Sequence, residues 1–160
     1  KKQDKTKNMN SFYKVVEFIK SHFESDSFVH TITHGVIEDI DVDKKNIFPL
    51  VHFQVTSAQI VEGLIVFTFQ IHILDIRNIS KKPITDKFLK NDNELDNLNT
   101  CFAITNKFLT KLRLQRNAED IELFANSTPT PVEFQFTNLL DGWVFDVQLS
   151  IPNNNIEVCN

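Results

Sequence analysis

Glycine appears three times and proline five times in 160 residues. So few chain-breakers argue against a repeat protein or a loop-dominated scaffold. Two cysteines, Cys101 and Cys159, are too few for a disulfide framework and point to a reducing, intracellular setting. No secretory leader pattern is visible, and no apolar run approaches the ~20 residues of a bilayer span. The longest, "LIVFTFQIHIL", is broken by Gln70 and His72. Gly-x-Ser-x-Gly elbows, Gly-rich phosphate loops and HExxH motifs are all missing. We therefore expect no enzyme, no catalytic residue and no cofactor.

Positive charge is scarce in the body of the chain. The formal net charge is -4, yet "KKQDKTKN" at the start holds four Lys and one Asp, which leaves -7 for residues 9 to 160. A nucleic-acid binder carries a basic footprint across its folded part, so sequence-specific nucleic-acid binding is not expected. Residues 1–9 read as a flexible, solvated basic tail, and residues 10–160 as a single domain long enough to bury roughly 70% of its unfolded surface.

Phenylalanine is abundant: fifteen Phe stand against one Tyr and one Trp. Phe has no polar handle, so these rings belong in a core or a subunit interface. Phe12, Val15, Val16, Ile19 and Phe23 recur at helical spacing, with Asn10 or Ser11 placed to cap the start. In "FVHTITHGVIEDIDV", Val29, Thr31 and Thr33 alternate with Phe28, His30, Ile32 and His34 until Gly35 interrupts, before a further stretch Val36 to Val42. "FPLVHFQVTSAQ" and "IVEGLIVFTFQIHILDI" read as two strands joined at Ala58 and Gln59. In the second, Ile65, Phe67, Phe69, Ile71 and Ile73 share one fully apolar face, as in a sheet packed on one side by helices.

A long polar excursion at about 77–93 separates this half from a second helix. There Leu95, Leu98, Phe102, Thr105, Leu109 and Leu112 step along one face, with Phe108 beside it and Asp92 or Asn93 as cap. "IELFA", "VEFQFTNLL" and "DGWVFDVQLSIP" then read as strands, and Pro129 and Pro131 in "NSTPTP" enforce a turn or an edge. In the last strand Trp143, Phe145, Val147, Leu149 and Ile151 alternate with Val144, Asp146, Gln148 and Ser150. Trp143 and Phe145 are thus candidate core or interface anchors rather than a ligand platform. The order predicts an α+β domain: a mostly antiparallel sheet of five to six strands with two amphipathic helices on one face.

Candidate sites are sparse. His30 and His34 lie on one strand face about 13 Å apart, too far to share an ion. His52 or His72 could join either across the sheet, with Glu38 or Asp39 near in sequence, but half-buried strand histidines account for them and no metal is assigned. Glu38, Asp39, Asp41 and Asp43 lack the Gly and terminal Glu of an EF-hand loop. Cys101 reads as a small packing residue. The Arg77–Lys90 loop carries Arg77, Lys81, Lys82, Lys87 and Lys90 against Asp86. It is either a solvated excursion or a candidate subunit or lumen contact loop that orders against a partner.

Three stretches carry a resemblance. "NIFPLVHFQV", entered through Phe48-Pro49, looks like the second strand of the tail completion or tail terminator proteins of long-tailed bacteriophages. "IVFTFQIHILDI", the polar loop and "NELDNLNTCFAITNKFLTKL" resemble their long strand, flexible loop and second helix. "DGWVFDVQLSIPNNNIEVC" is similar to the Gly-Trp-led closing strand of such proteins in phages of Bacteroidetes-type hosts. The likeness spans about residues 10 to 159. It implies a structural virion protein assembled in the host cytoplasm: a homohexameric ring at the head-proximal end of the tail, between the tail tube and the neck or connector proteins. DNA would only pass through its lumen, and no membrane is involved. The segment after Gly35 and the "NSTPTP" turn depart from that layout. They leave open a connector ring protein between portal and tail, or another assembly module of similar architecture.

Overall fold

The computed structural model describes residues 12–36, 47–78, 87, 92–114, 120–135 and 139–153. The expected basic tail, the stretch from 37 to 46 and Cys159 lie outside them. The chain forms α1 (Phe12–Glu24), β1 (Thr31–His34), β2 (Leu50–Val61), β3 (Leu64–Ile76), α2 (Glu94–Leu114), β4 (Glu122–Leu123), β5 (Thr130–Gln135) and β6 (Leu140–Pro152). The sheet runs β1-β2-β3-β6-β4, with β5 also on β6, and only the β1–β2 pair is parallel. This is the predicted α+β class.

Alternation decides which face is buried. Odd residues of β3 from Ile65 to Ile73 pair with odd residues of β6 from Ile151 to Trp143, so one face is apolar in both strands. Both helices cover that face. From α1 come Val15, Phe18, Ile19 and Phe23, at the i, i+3, i+4, i+8 spacing of a buried stripe. Phe23 and Phe108 meet at 4.8 Å between ring centres, and Phe108 reaches Phe145 at 6.2 Å. Each such buried ring stabilises the fold by roughly 1.5–3 kcal/mol relative to exposure. A smaller apolar cluster, Phe48, Leu50, Leu74 and Leu140, sits on the opposite face at one end of the sheet.

Four expectations need correction. The β2–β3 turn is Glu62–Gly63, not Ala58–Gln59: β2 runs on to Val61, and Gly63 supplies the positive φ (74°) that the tight turn needs. The irregularity near Ala58 is a bulge, which leaves Thr56 without a partner between Val55 and Ser57. On α2 the buried face is Asn97, Cys101, Ile104, Thr105, Phe108 and Leu112, while Leu95 and Phe102 are exposed. The helix is rotated because Asn97 turns inward to polar partners. Finally, "IELFA" contributes only two strand residues, and β5 begins at Thr130, two residues before "VEFQFTNLL", with Pro131 at the expected edge.

Gly142 fits because it has no side chain: a Cβ there would overlap the Ile73 carbonyl oxygen and crowd the Leu74 backbone. Neither is a flexible side-chain end, so relief requires the β3–β6 ladder to part. Gly142→Ala should therefore cost about 2–3 kcal/mol, read as a lower urea midpoint. An unchanged midpoint would show that the ladder yields at this position.

Candidate functional site

The densest polar cluster lies where β3 ends and β6 begins. Arg77 (6% exposed) follows β3, and Asp141 (0%) is the second residue of β6. The guanidinium donates twice to one carboxylate: Nε to Oδ2 at 2.8 Å and Nη2 to Oδ1 at 2.6 Å. Glu94, the first residue of α2, approaches the same Nη2 at 3.0 Å. This forked geometry is the strong form of an ion pair, and the hydrogen bonds to Asp141 keep the Arg77 pKa above its ordinary value.

Asparagines complete the cluster. Asn97 donates to the Ile76 carbonyl at 3.0 Å and to Asp141 at 3.5 Å. Asn93 donates to the same carbonyl at 3.2 Å and accepts from the Asn78 backbone N–H at 2.6 Å. The Arg77 backbone N–H donates to the carbonyl of Leu139, which holds φ 54°. These bonds fasten both ends of the 77–93 connection to the sheet, because residues 76–78 and 93–97 share partners. Asp75 lies alongside, and burial pushes its carboxyl above the usual range.

The sequence reading puts Arg77 in a loop that is either solvated or partner-facing, and the structure buries its side chain instead. Its charge is used inside the subunit, since a buried guanidinium needs a carboxylate and Asp141 provides one from 64 residues away. Lys87 is exposed. Lys81, Lys82 and Lys90 lie outside the described residues. Asp141, Glu94, Asn93 and Asn97 were not singled out from sequence. The available signal was Asp141 itself, a charged residue in phase with the apolar positions Trp143 to Ile151 of the last strand.

Trp143 and Phe145 both lie on the helix-covered face. Trp143 is half-buried, donates from Nε1 to the Leu98 carbonyl at 2.9 Å and packs on Phe102 at 5.0 Å. Phe145 is buried in the core. Together they hold α2 to β6.

The histidines fall into two settings. On the far face, His52 joins Thr33 Oγ1 through Nδ1 at 2.8 Å and the Gly35 carbonyl through Nε2 at 2.9 Å. The carbonyl can only accept, so Nε2 carries a proton there, and His52 ties β1 to β2. His72 stands 6.3 Å away, ring to ring, and burial with His52 nearby lowers its pKa to about 4. His22 is buried against Phe23 and Phe108, and desolvation and Lys111 lower it to about 4. Among the described residues no three His, Cys, Asp or Glu converge on one ion position. Burial raises the Cys101 thiol, which makes it a packing group and a poor nucleophile.

No family model and no curated protein sequence matches this chain. Among the described residues no helix is long and apolar enough to cross a membrane.

Two predictions follow from this geometry. Asp141→Ala removes the forked carboxylate from the buried Arg77 guanidinium and should cost about 3–5 kcal/mol, while Arg77→Met with Asp141→Leu should restore more than half of that. Urea unfolding of the three proteins checks it, and equal losses for the single and double variants would contradict it. The second concerns pH. His22 and His72 are neutral in the fold down to about 4, whereas the unfolded chain binds protons near 6.5. Their contribution is fully present above pH 6.5 and is lost as pH falls towards 4. Asp75 works in the opposite sense, because its raised pKa makes the native state the better proton binder. His22→Phe should flatten the stability loss between pH 7 and 5 by about 1–2 kcal/mol; an unaltered pH profile would exclude His22 as a contributor.

Proposed function

We propose that this chain is a structural subunit of a phage tail or neck assembly, of the tail-terminator kind, that closes into a homo-oligomeric ring. The observation that carries the reading is the surplus of large apolar groups left outside a core that is already complete. Tyr13 (72% exposed), Phe28, Phe102, Leu114 and Phe124 stand in solvent, although the sheet face beneath the helices is filled. Single exposed apolar residues are ordinary, but this many on one small subunit suits a protein that buries more surface in an assembly than alone.

Two further features support it. The 77–93 connection leaves from a root fixed by buried bonds, so any contact it makes is anchored to a rigid sheet. The chain outside the first eight residues is acidic, and like charge discourages DNA from sticking to a conduit.

Native mass spectrometry of the full chain, with negative-stain imaging, tests the reading directly. A discrete ring is expected, six subunits by family resemblance. Replacing residues 79–91 with a short Gly/Ser linker, with Arg77 kept, should preserve the fold while weakening assembly. A strict monomer at high concentration, with no association with tail or connector proteins, would overturn it.

A further inference from the structure

The two edges of the sheet are not equally protected. On the β6 side, β4 and β5 run along one strand with a gap between Leu123 and Thr130, and Pro129, Pro131 and Glu133 lie along that edge. Interruption, proline and charge are the usual means by which an edge refuses another strand. On the other side β1 covers β2 only from Leu50 to Phe53. Beyond that, no described strand pairs with the outer edge of β2. This stretch without a described partner, Gln54 to Val61, reads "QVTSAQIV" and holds no charge and no proline. Residues 55 to 60 are exposed, and Ile60 is 76% so.

The hydrogen-bonding groups of this edge can be assigned. Asn153 donates its backbone N–H to the Gly63 carbonyl, so odd residues of β3 direct their backbone groups towards β6 and even ones towards β2. Alternation along an antiparallel pair then directs Val61, Gln59 and Ser57 towards β3, and Ile60 and Ala58 outward. The bulge at Thr56 lies inside this stretch, and from Ser57 to Val61 the register is regular.

We propose that β2 pairs antiparallel with β2 of a second copy about a two-fold axis at Gln59, joining two sheets into one. In that register Ile60 of each copy stands opposite Ala58 of the other, a large side chain over a small one, and the two outward-facing residues exchange four backbone hydrogen bonds. Shifting by one pair in one direction sets Ile60 against Ile60 and brings Glu62 opposite Ala58. Shifting the other way sets Ile60 against Thr56 at the bulge. Only the central register matches sizes and leaves the charge outside. A second copy is the occupant because an isologous contact saturates itself. The opposite edge is guarded, so the pairing cannot propagate into a fibre. Among the described residues it covers the edge that lacks proline and charge.

The pairing is separate from the ring reading, since a two-fold contact is not the head-to-tail contact of a ring. The test uses the full chain with Cys159→Ser. Gln59→Cys should form a disulfide-linked dimer under mild oxidation, because the 59–59 pair brings Cα atoms to ~4.5 Å. Val61→Cys should not, since the two copies of residue 61 lie ~13 Å apart in this register. Ile60→Asp should raise the dimer dissociation constant about tenfold or more with the circular dichroism spectrum unchanged, since Ile60 is exposed in the subunit. Crosslinking at 61 but not at 59, or Ile60→Asp with wild-type association, overturns the pairing. A ring whose Gln59→Cys form gives no crosslink keeps the ring and removes the pairing. Dimers crosslinked at 59 without any ring do the reverse.

Discussion

The β3–β6 ladder is the constraint on which everything else depends. Thirteen residue pairs run from Leu64–Pro152 to Ile76–Leu140 without a register shift. Strand side chains alternate with a period of two, so a slip of one residue would turn the whole apolar set of β6 away from the helices. Three consecutive residues fix the register at one end, each by a different means. Asp141 binds Arg77, Gly142 leaves room for the Ile73 carbonyl, and Trp143 donates to α2 at Leu98. None of the three can be satisfied one residue away.

The buried ion pair at this end contributes more to specificity than to stability. Desolvating a guanidinium and a carboxylate costs several kcal/mol for each ion, and a good fork geometry does little more than offset it. What it adds is a direction. Leu139 and Arg77 meet through the backbone, Asn93 and Asn97 grip the Ile76 carbonyl, and Glu94 starts α2 beside Arg77. The helix therefore starts from a point set by the sheet. The 77–93 connection is long, yet its two ends are as well defined as the strands that it joins.

Periodicity made most of the fold legible. Odd residues of β3 and β6 form one apolar face in the sequence and one buried face in the structure, and α1 has a clean helical stripe. Misreadings arose where a residue's role depends on a partner distant in sequence. Arg77 looks like the first cation of a basic loop until Asp141 is placed beside it. Asn97 looks like a solvent-facing helix residue, so the sequence alone sets the stripe on α2 through Leu95 and Phe102 rather than through Cys101 and Ile104. The run Thr56-Ser57-Ala58-Gln59 has the composition of a turn, but Gly63 provides the positive φ, and the strand continues through a bulge to reach it.

The asymmetry between the sheet edges follows from the same ladder. Because β3 and β6 are long and central, their outer neighbours must either match their length or leave an edge bare. The chain from Glu122 to Gln135 follows β6 for nearly its full length, and interrupts itself where Phe124 N–H and Ser127 Oγ donate to the carbonyls of Gln148 and Asp146. On the other side β2 matches β3, but among the described residues only the four of β1 pair with β2. An uncharged, exposed stretch of strand is therefore the direct result of joining a four-residue strand to a twelve-residue one. Natural sheets seldom leave such an edge without lysine or proline unless another strand is to occupy it. The absence of both from Gln54 to Val61 marks this edge, rather than the guarded β5 edge, as the one at which the sheet accepts a strand of another chain.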